Sequence, residues 1–147
     1  MALEATAVLT SGLFAGVAVY VALIARASWL RAMRSNVSVA LGDFRFVFPR
    51  VMALQSAFVV VGTACSISWW IRSGTTAFLV GGCLLGAVAP FSLVFVTPVY
   101  RRLLDPGTEG RPREAERQLI RWAWLYAARA ALGLGAFGVL VASLVRR

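Results

Sequence analysis

The chain has 147 residues, of which 60% are hydrophobic and 14% charged, and its mean hydropathy is +0.79. Soluble domains are usually about 45–50% apolar and about 25% charged, so the composition excludes an ordinary soluble fold and points to one membrane domain over residues 1–147. All fifteen basic residues are Arg and there is no His, which excludes His-ligated haem, zinc or copper and any Ser-His or Cys-His nucleophile pair.

A helical span needs roughly 20 apolar residues to cross about 30 Å of hydrocarbon. Residues 5–25 form the first such run. Ala25-Arg26-Ala27 looks like a signal-peptide cleavage site, but the run is long and Met1-Ala2-Leu3-Glu4 lacks a basic start, so a retained span is expected. The connection 26–50 follows. Its first ten residues can continue helix one as an interfacial turn, with Trp29, Leu30 and Met33 on one face and Arg31 and Arg34 on another. Phe44, Phe46 and Phe48 then alternate with Arg45 and Val47, and Pro49 fits the first turn of span two.

Span two is expected at 51–71, and span three at 76–99 within the charge-free run 73–100. Inside span three, Pro90 removes a helical hydrogen bond and frees the carbonyl of Gly86, and Pro98 adds a second kink. The connection 101–121 contains the polar stretch 105–116 with Pro106, Gly107, Gly110 and Pro112, which reads as a loop. Span four is expected at 122–145, interrupted by Arg129. The fold class that follows is all-α: an integral membrane, up-down four-helix bundle, because hydrocarbon offers no partner to an unpaired backbone.

The two connections between spans carry eleven Arg, whereas Arg72, Arg146 and Arg147 lie on the opposite side. The positive-inside rule then puts both connections in the cytoplasm and both termini on the non-cytoplasmic side. The net charge of +9 thus reads as orientation in a lipid bilayer, and no nucleic-acid partner is expected. Gly12 and Gly16, Gly82 and Gly86, and Ala127, Ala131 and Gly135 are spaced four apart. Such small residues serve close packing, either within the bundle or across a homodimer or a larger membrane complex.

Arg129 is the most informative residue, because an ionisable side chain about 10 Å into a span is costly and marks a functional candidate. Tyr20, Gln55, Ser92, Tyr100, Tyr126 and Arg129 all fall at compatible depths in the cytoplasmic half. They form a candidate binding cluster for a lipophilic small molecule, with Tyr126 and Arg129 as the candidates for any catalytic role. Snorkelling of Arg129 to the headgroups is the structural alternative. Cys65 and Cys83 read as small buried hydrophobes. The six acids lie outside the spans, so no carboxylate metal cage forms in the core, and no metal or cofactor is expected.

Three stretches carry a resemblance. They are Leu13-Phe14-Ala15-Gly16 with Tyr20; Pro90-Phe91-Ser92-Leu93 with Pro98 and Arg101-Arg102-Leu103; and Arg121-Trp122 with Leu125, Arg129 and Gly133. Together the chain resembles the anthrone-oxygenase-like family of small four-helix membrane proteins, much of which is a domain family of unknown function. The resemblance implies oxidation of anthrones, tricyclic phenols, to anthraquinones by molecular oxygen without metal or flavin. It also implies that a base, a cation for the developing oxyanion and a dry pocket do the work. Where the family commonly has an acid-His-Pro run after helix one, Ala25-Arg26-Ala27 stands here. Tyr100 stands in place of a common Asn, and Tyr126 in place of a His before the Arg. These replacements imply a binding protein for a lipophilic aromatic, quinone-like or lipid ligand, with the oxygenase activity lost or altered. A cofactor-independent oxidase of phenols and a structural or assembly subunit of a larger membrane complex stay open as alternatives.

Overall fold

In a computed structural model, which describes residues 2–108 and 110–145, the chain folds into four long helices with no strand among the described residues. They are α1 (Ala2–Ser35), α2 (Val37–Ser73), α3 (Thr76–Leu104) and α4 (Pro112–Val145), all long and apolar enough to cross a membrane. Each packs on its neighbours in sequence and α4 closes back on α1, forming a four-membered ring.

The helices outrun the expected spans, and the physical reason lies in the connections. Only Asn36 breaks the stretch 26–50; its backbone is extended and its side chain accepts from the amides of Ser38 and Val39 at 3.1 and 3.3 Å. That is an N-cap satisfying two of the donors that a helix start leaves free. On either side of it Trp29, Met33, Ala40, Leu41, Phe44 and Phe48 are buried at helical spacing, so packing holds these turns helical despite the intervening Arg.

Pro49 does not open span two as expected. It lies thirteen positions into α2's sequence register, well inside the helix. The Arg50 guanidinium donates to the Phe46 carbonyl and stacks 3.7 Å from the Phe46 ring centroid beside this interruption. The alternation of Phe44, Phe46 and Phe48 also resolves differently. Phe44 and Phe48, one turn apart, face inward, and Phe46 faces out.

At the far end Gly74 adopts φ 69°, the left-handed cap that suits glycine, and its amide bonds Trp70 at 2.8 Å. Between α3 and α4 the loop is shorter than expected, because Pro112 already starts α4. Asp105 accepts from the Gly107 amide at 3.0 Å and Thr108 donates to the Arg102 carbonyl at 2.7 Å, closing the turn.

The interior divides into two layers. Toward the arginine-rich end, Trp29, Phe44, Phe48, Tyr100, Trp122 and Tyr126 interlock. Trp122 lies 5.0 Å from Phe44 and 4.9 Å from Phe48 in edge-to-face geometry, and Phe48 lies 4.9 Å from Tyr100. The Trp29 indole donates to Asp43 at 2.8 Å. In the other half the helices approach closely through small residues. A methyl placed on Gly82 would lie 3.0 Å from Ser66, and one on Gly86 would lie 3.2 Å from Thr63. These two glycines therefore serve contact between α2 and α3. Cys65 and Cys83 are free thiols; Cys65 is half-buried and Cys83 exposed, so neither is fully buried as expected.

Candidate functional site

The inner face of α4 carries Trp122, Tyr126, Arg129 and Gly133, spaced three and four apart and therefore stacked along one stripe. All four are buried, and Arg129 is 1% exposed. Its guanidinium does not snorkel. It lies between two aromatic faces, 5.3 Å from the Phe14 centroid and 5.5 Å from the Tyr126 centroid. Nη1 reaches Met52 Sδ at 2.7 Å, and Nε has no hydrogen-bond partner. Among the described residues, no carboxylate forms a salt bridge with it.

Phe14 holds its place because Gly133 leaves room for it: a methyl at Gly133 would overlap the Phe14 ring. Gly133→Ala is therefore expected to push Phe14 off the guanidinium and cost about 1–3 kcal/mol, read as a lowered melting temperature in detergent. An unchanged melting temperature would mean that Phe14 re-packs freely.

Tyr126 donates its hydroxyl proton to Gln55 Oε1 at 2.5 Å. Gln55 is fully buried and its Nε2 has no partner. A buried N–H without an acceptor costs about 1–3 kcal/mol, so two such donors in one region are an anomaly that calls for an acceptor.

A half-open cavity of about 250 Å³ lies against Arg129. Its walls are Met52, Ser56, Val59 and Val60 of α2 with Val88, Ala89, Ser92, Leu93 and Thr97 of α3. The α3 wall is irregular. Residues Ser92–Val96 form a π-helical turn, in which the Thr97 amide and hydroxyl both donate to the Ser92 carbonyl. The Ser92 hydroxyl donates to the Val88 carbonyl at 2.6 Å. Pro90 and Pro98 flank this turn, each without an amide to give, and π-turns of this kind occur often at functional sites.

Residues 43–139 match the profile of the anthrone oxygenase family. The match covers more than half of the chain. The chain belongs to the anthrone oxygenase family. No curated protein and no solved structure gives a significant match.

In this anthrone oxygenase family member, the residues singled out from sequence separate into three groups. Ser92 and Arg129 line the cavity. Gln55 and Tyr126 are joined to each other, with the Tyr126 ring against the guanidinium. Tyr100 is half-buried in the aromatic layer, and Tyr20 is 57% exposed on the outside of α1. Sequence reasoning passed over Met52 and Phe14, which touch or flank Arg129, and Thr97, which lines the cavity. Met52 had a signal: it precedes Gln55 by three residues and so shares its face of α2. Among the described residues no three His, Cys, Asp or Glu side chains gather as a metal site would need.

Proposed function

We propose that this protein is a membrane-embedded binding protein for a lipophilic aromatic or quinone-like molecule, held through an oxygen acceptor against Arg129. The observation that carries the reading is a fully buried guanidinium, without a carboxylate partner among the described residues, in the wall of an apolar half-open cavity. An Arg at the centre of a membrane helix costs about 2.5–3.5 kcal/mol on insertion scales, and the two cation–π faces, at about 0.5–2 kcal/mol each, offset that cost without supplying a hydrogen-bond acceptor. Arg129, which lines the cavity, has an unpartnered Nε donor, so the complementary ligand offers an acceptor: a quinone carbonyl or a phenolate.

The oxygenase chemistry of the family is read here as lost or altered. A base must accept a proton in the site. Tyr126 instead donates to Gln55, whose amide oxygen is a poor base, and the cavity wall contains no acid and no His. By the positive-inside rule the α1–α2 and α3–α4 turns are placed in the cytoplasm and both termini across the membrane.

The test compares protein-loaded with empty lipid nanodiscs. A hydroxynaphthoquinone, followed by quenching of tryptophan fluorescence, is expected to bind about 10-fold or more tightly than the parent naphthalene measured by displacement, as suits a charge-assisted hydrogen bond. Equal affinities would overturn the assignment of Arg129 as anchor.

A further inference from the structure

The ligand site faces two barriers and one gap. Toward the arginine-rich end the aromatic layer fills the ring of helices: Phe44, Phe48 and Trp122 are fully buried, Phe44 and Phe48 stack on each other, and Trp122 meets both edge to face. Toward the opposite end the packing is tight: methyls on Gly62 and Gly81 would meet Leu85 at 2.6 Å and Leu140 at 2.7 Å. The gap lies sideways, between α2 and α3. Along it burial falls steadily outward. Arg129, Val88 and Val59 form the buried back, and Val60 and Leu93, 67% and 70% exposed, form the lips. Two of the rim residues, Ser56 and Ala89, are small and exposed, so no bulky side chain crosses the cleft there. The π-helical turn begins on the same rim at Ser92 and widens α3 next to Leu93.

Resting on the binding reading above, we infer that the ligand reaches Arg129 laterally from the bilayer, through the cleft between α2 and α3. It goes in polar end first, and its apolar remainder stays between the lips. The ligand class is therefore an amphiphile of the membrane: a ring bearing a carbonyl or phenolate oxygen, with an alkyl or prenyl chain in the lipid. Volume supports the split. Sites that enclose a drug-sized ligand measure about 300–1,000 Å³. At about 250 Å³ and open on the lipid side, this cavity takes a ring and leaves a tail outside.

The experiment uses the full chain in nanodiscs, with a hydroxynaphthoquinone and its decyl-tailed analogue as probes. The wild type is expected to bind both within about threefold of each other, because the tail never enters the protein. Ser56→Trp combined with Ala89→Trp is expected to slow association at least 10-fold. Leu9→Trp, on the exposed face of α1, should leave the rate unchanged. If the double variant does not fold, Ser56→Cys in a Cys65→Ala, Cys83→Ala background can be alkylated after folding with a bulky maleimide, with the same expected block. Unchanged rates in the blocked protein, or loss of binding by the tailed probe alone, would overturn the lateral route and leave the Arg129 site standing. Loss of binding by both probes in the wild type would overturn both.

Discussion

Replacing Arg129 with Met is expected to lower affinity for a hydroxynaphthoquinone by about 10- to 100-fold while changing the stability of the fold by no more than about 1 kcal/mol. The two halves of that expectation come from different physics. A hydrogen bond to a charged group is worth about 1.5–3 kcal/mol, and each 1.4 kcal/mol is tenfold in affinity. The fold loses little, because among the described residues the buried charge has no carboxylate partner to abandon. Methionine removes the insertion penalty of about 2.5–3.5 kcal/mol and forfeits cation–π contacts of about 0.5–2 kcal/mol each to Phe14 and Tyr126. Replacing a buried ion by an apolar residue is often neutral for the same reason. Arg129→Lys keeps the charge but loses the planar group stacked between two rings, so intermediate binding is expected. Equilibrium dialysis in nanodiscs and a melting curve in detergent check both halves. A variant that melts far lower and binds as before would make Arg129 a structural residue and remove the anchor.

Depth was legible in the sequence, and rotation was not. Counting residues at 1.5 Å apiece placed Gln55, Ser92, Tyr126 and Arg129 at compatible levels; in the structure Ser92 and Arg129 line the cavity, and Gln55 and Tyr126 bond to each other with the Tyr126 ring against the guanidinium. The same count placed Tyr20 with them, although it faces outward. Each residue turns a helix by about 100°, and nothing in a uniformly apolar run says which side faces lipid. Hydropathy likewise located all four helices but ended them at the first charges. Arg31, Arg34 and Arg45 end the apolar runs, whereas Met33, Phe44 and Phe48 keep the backbone helical beyond them by packing. Pro49 was misplaced for that reason: a proline at a hydrophobic boundary looks like a first turn, and only tertiary contacts reveal that the helix began twelve residues earlier. The partners of Arg129 are non-local, since Phe14 and Met52 come from two other helices, and no spacing rule brings them together.

The aromatic layer supplies the second large effect. Trp122→Ala is expected to cost about 3–5 kcal/mol, on the order of 10 °C in melting temperature for a chain of this size. Trp122 is fully buried, and its ring lies 5.6 Å from Trp29, 5.0 Å from Phe44, 4.9 Å from Phe48 and 5.1 Å from Tyr126. Removing it leaves a void ringed by four aromatic side chains that cannot collapse together without moving three helices. Trp124, two residues on and 66% exposed, is the matched control, with an expected change within about 0.5 kcal/mol on substitution by Ala. The indole Nε1 of Trp122 makes no hydrogen bond, so Trp122→Phe should recover most of the stability by restoring ring contacts alone. The layer also separates the Arg129 region from the arginine-rich end of the bundle. A void there admits water, and water competes for the guanidinium and weakens its hold on a ligand oxygen. Trp122→Ala should therefore narrow the preference for hydroxynaphthoquinone over naphthalene, measured below its own melting temperature, and Trp124→Ala should leave that preference intact. Equal losses of stability in the two variants would mean that the layer is not the packed closure of this end, and water would then have a second way to the site.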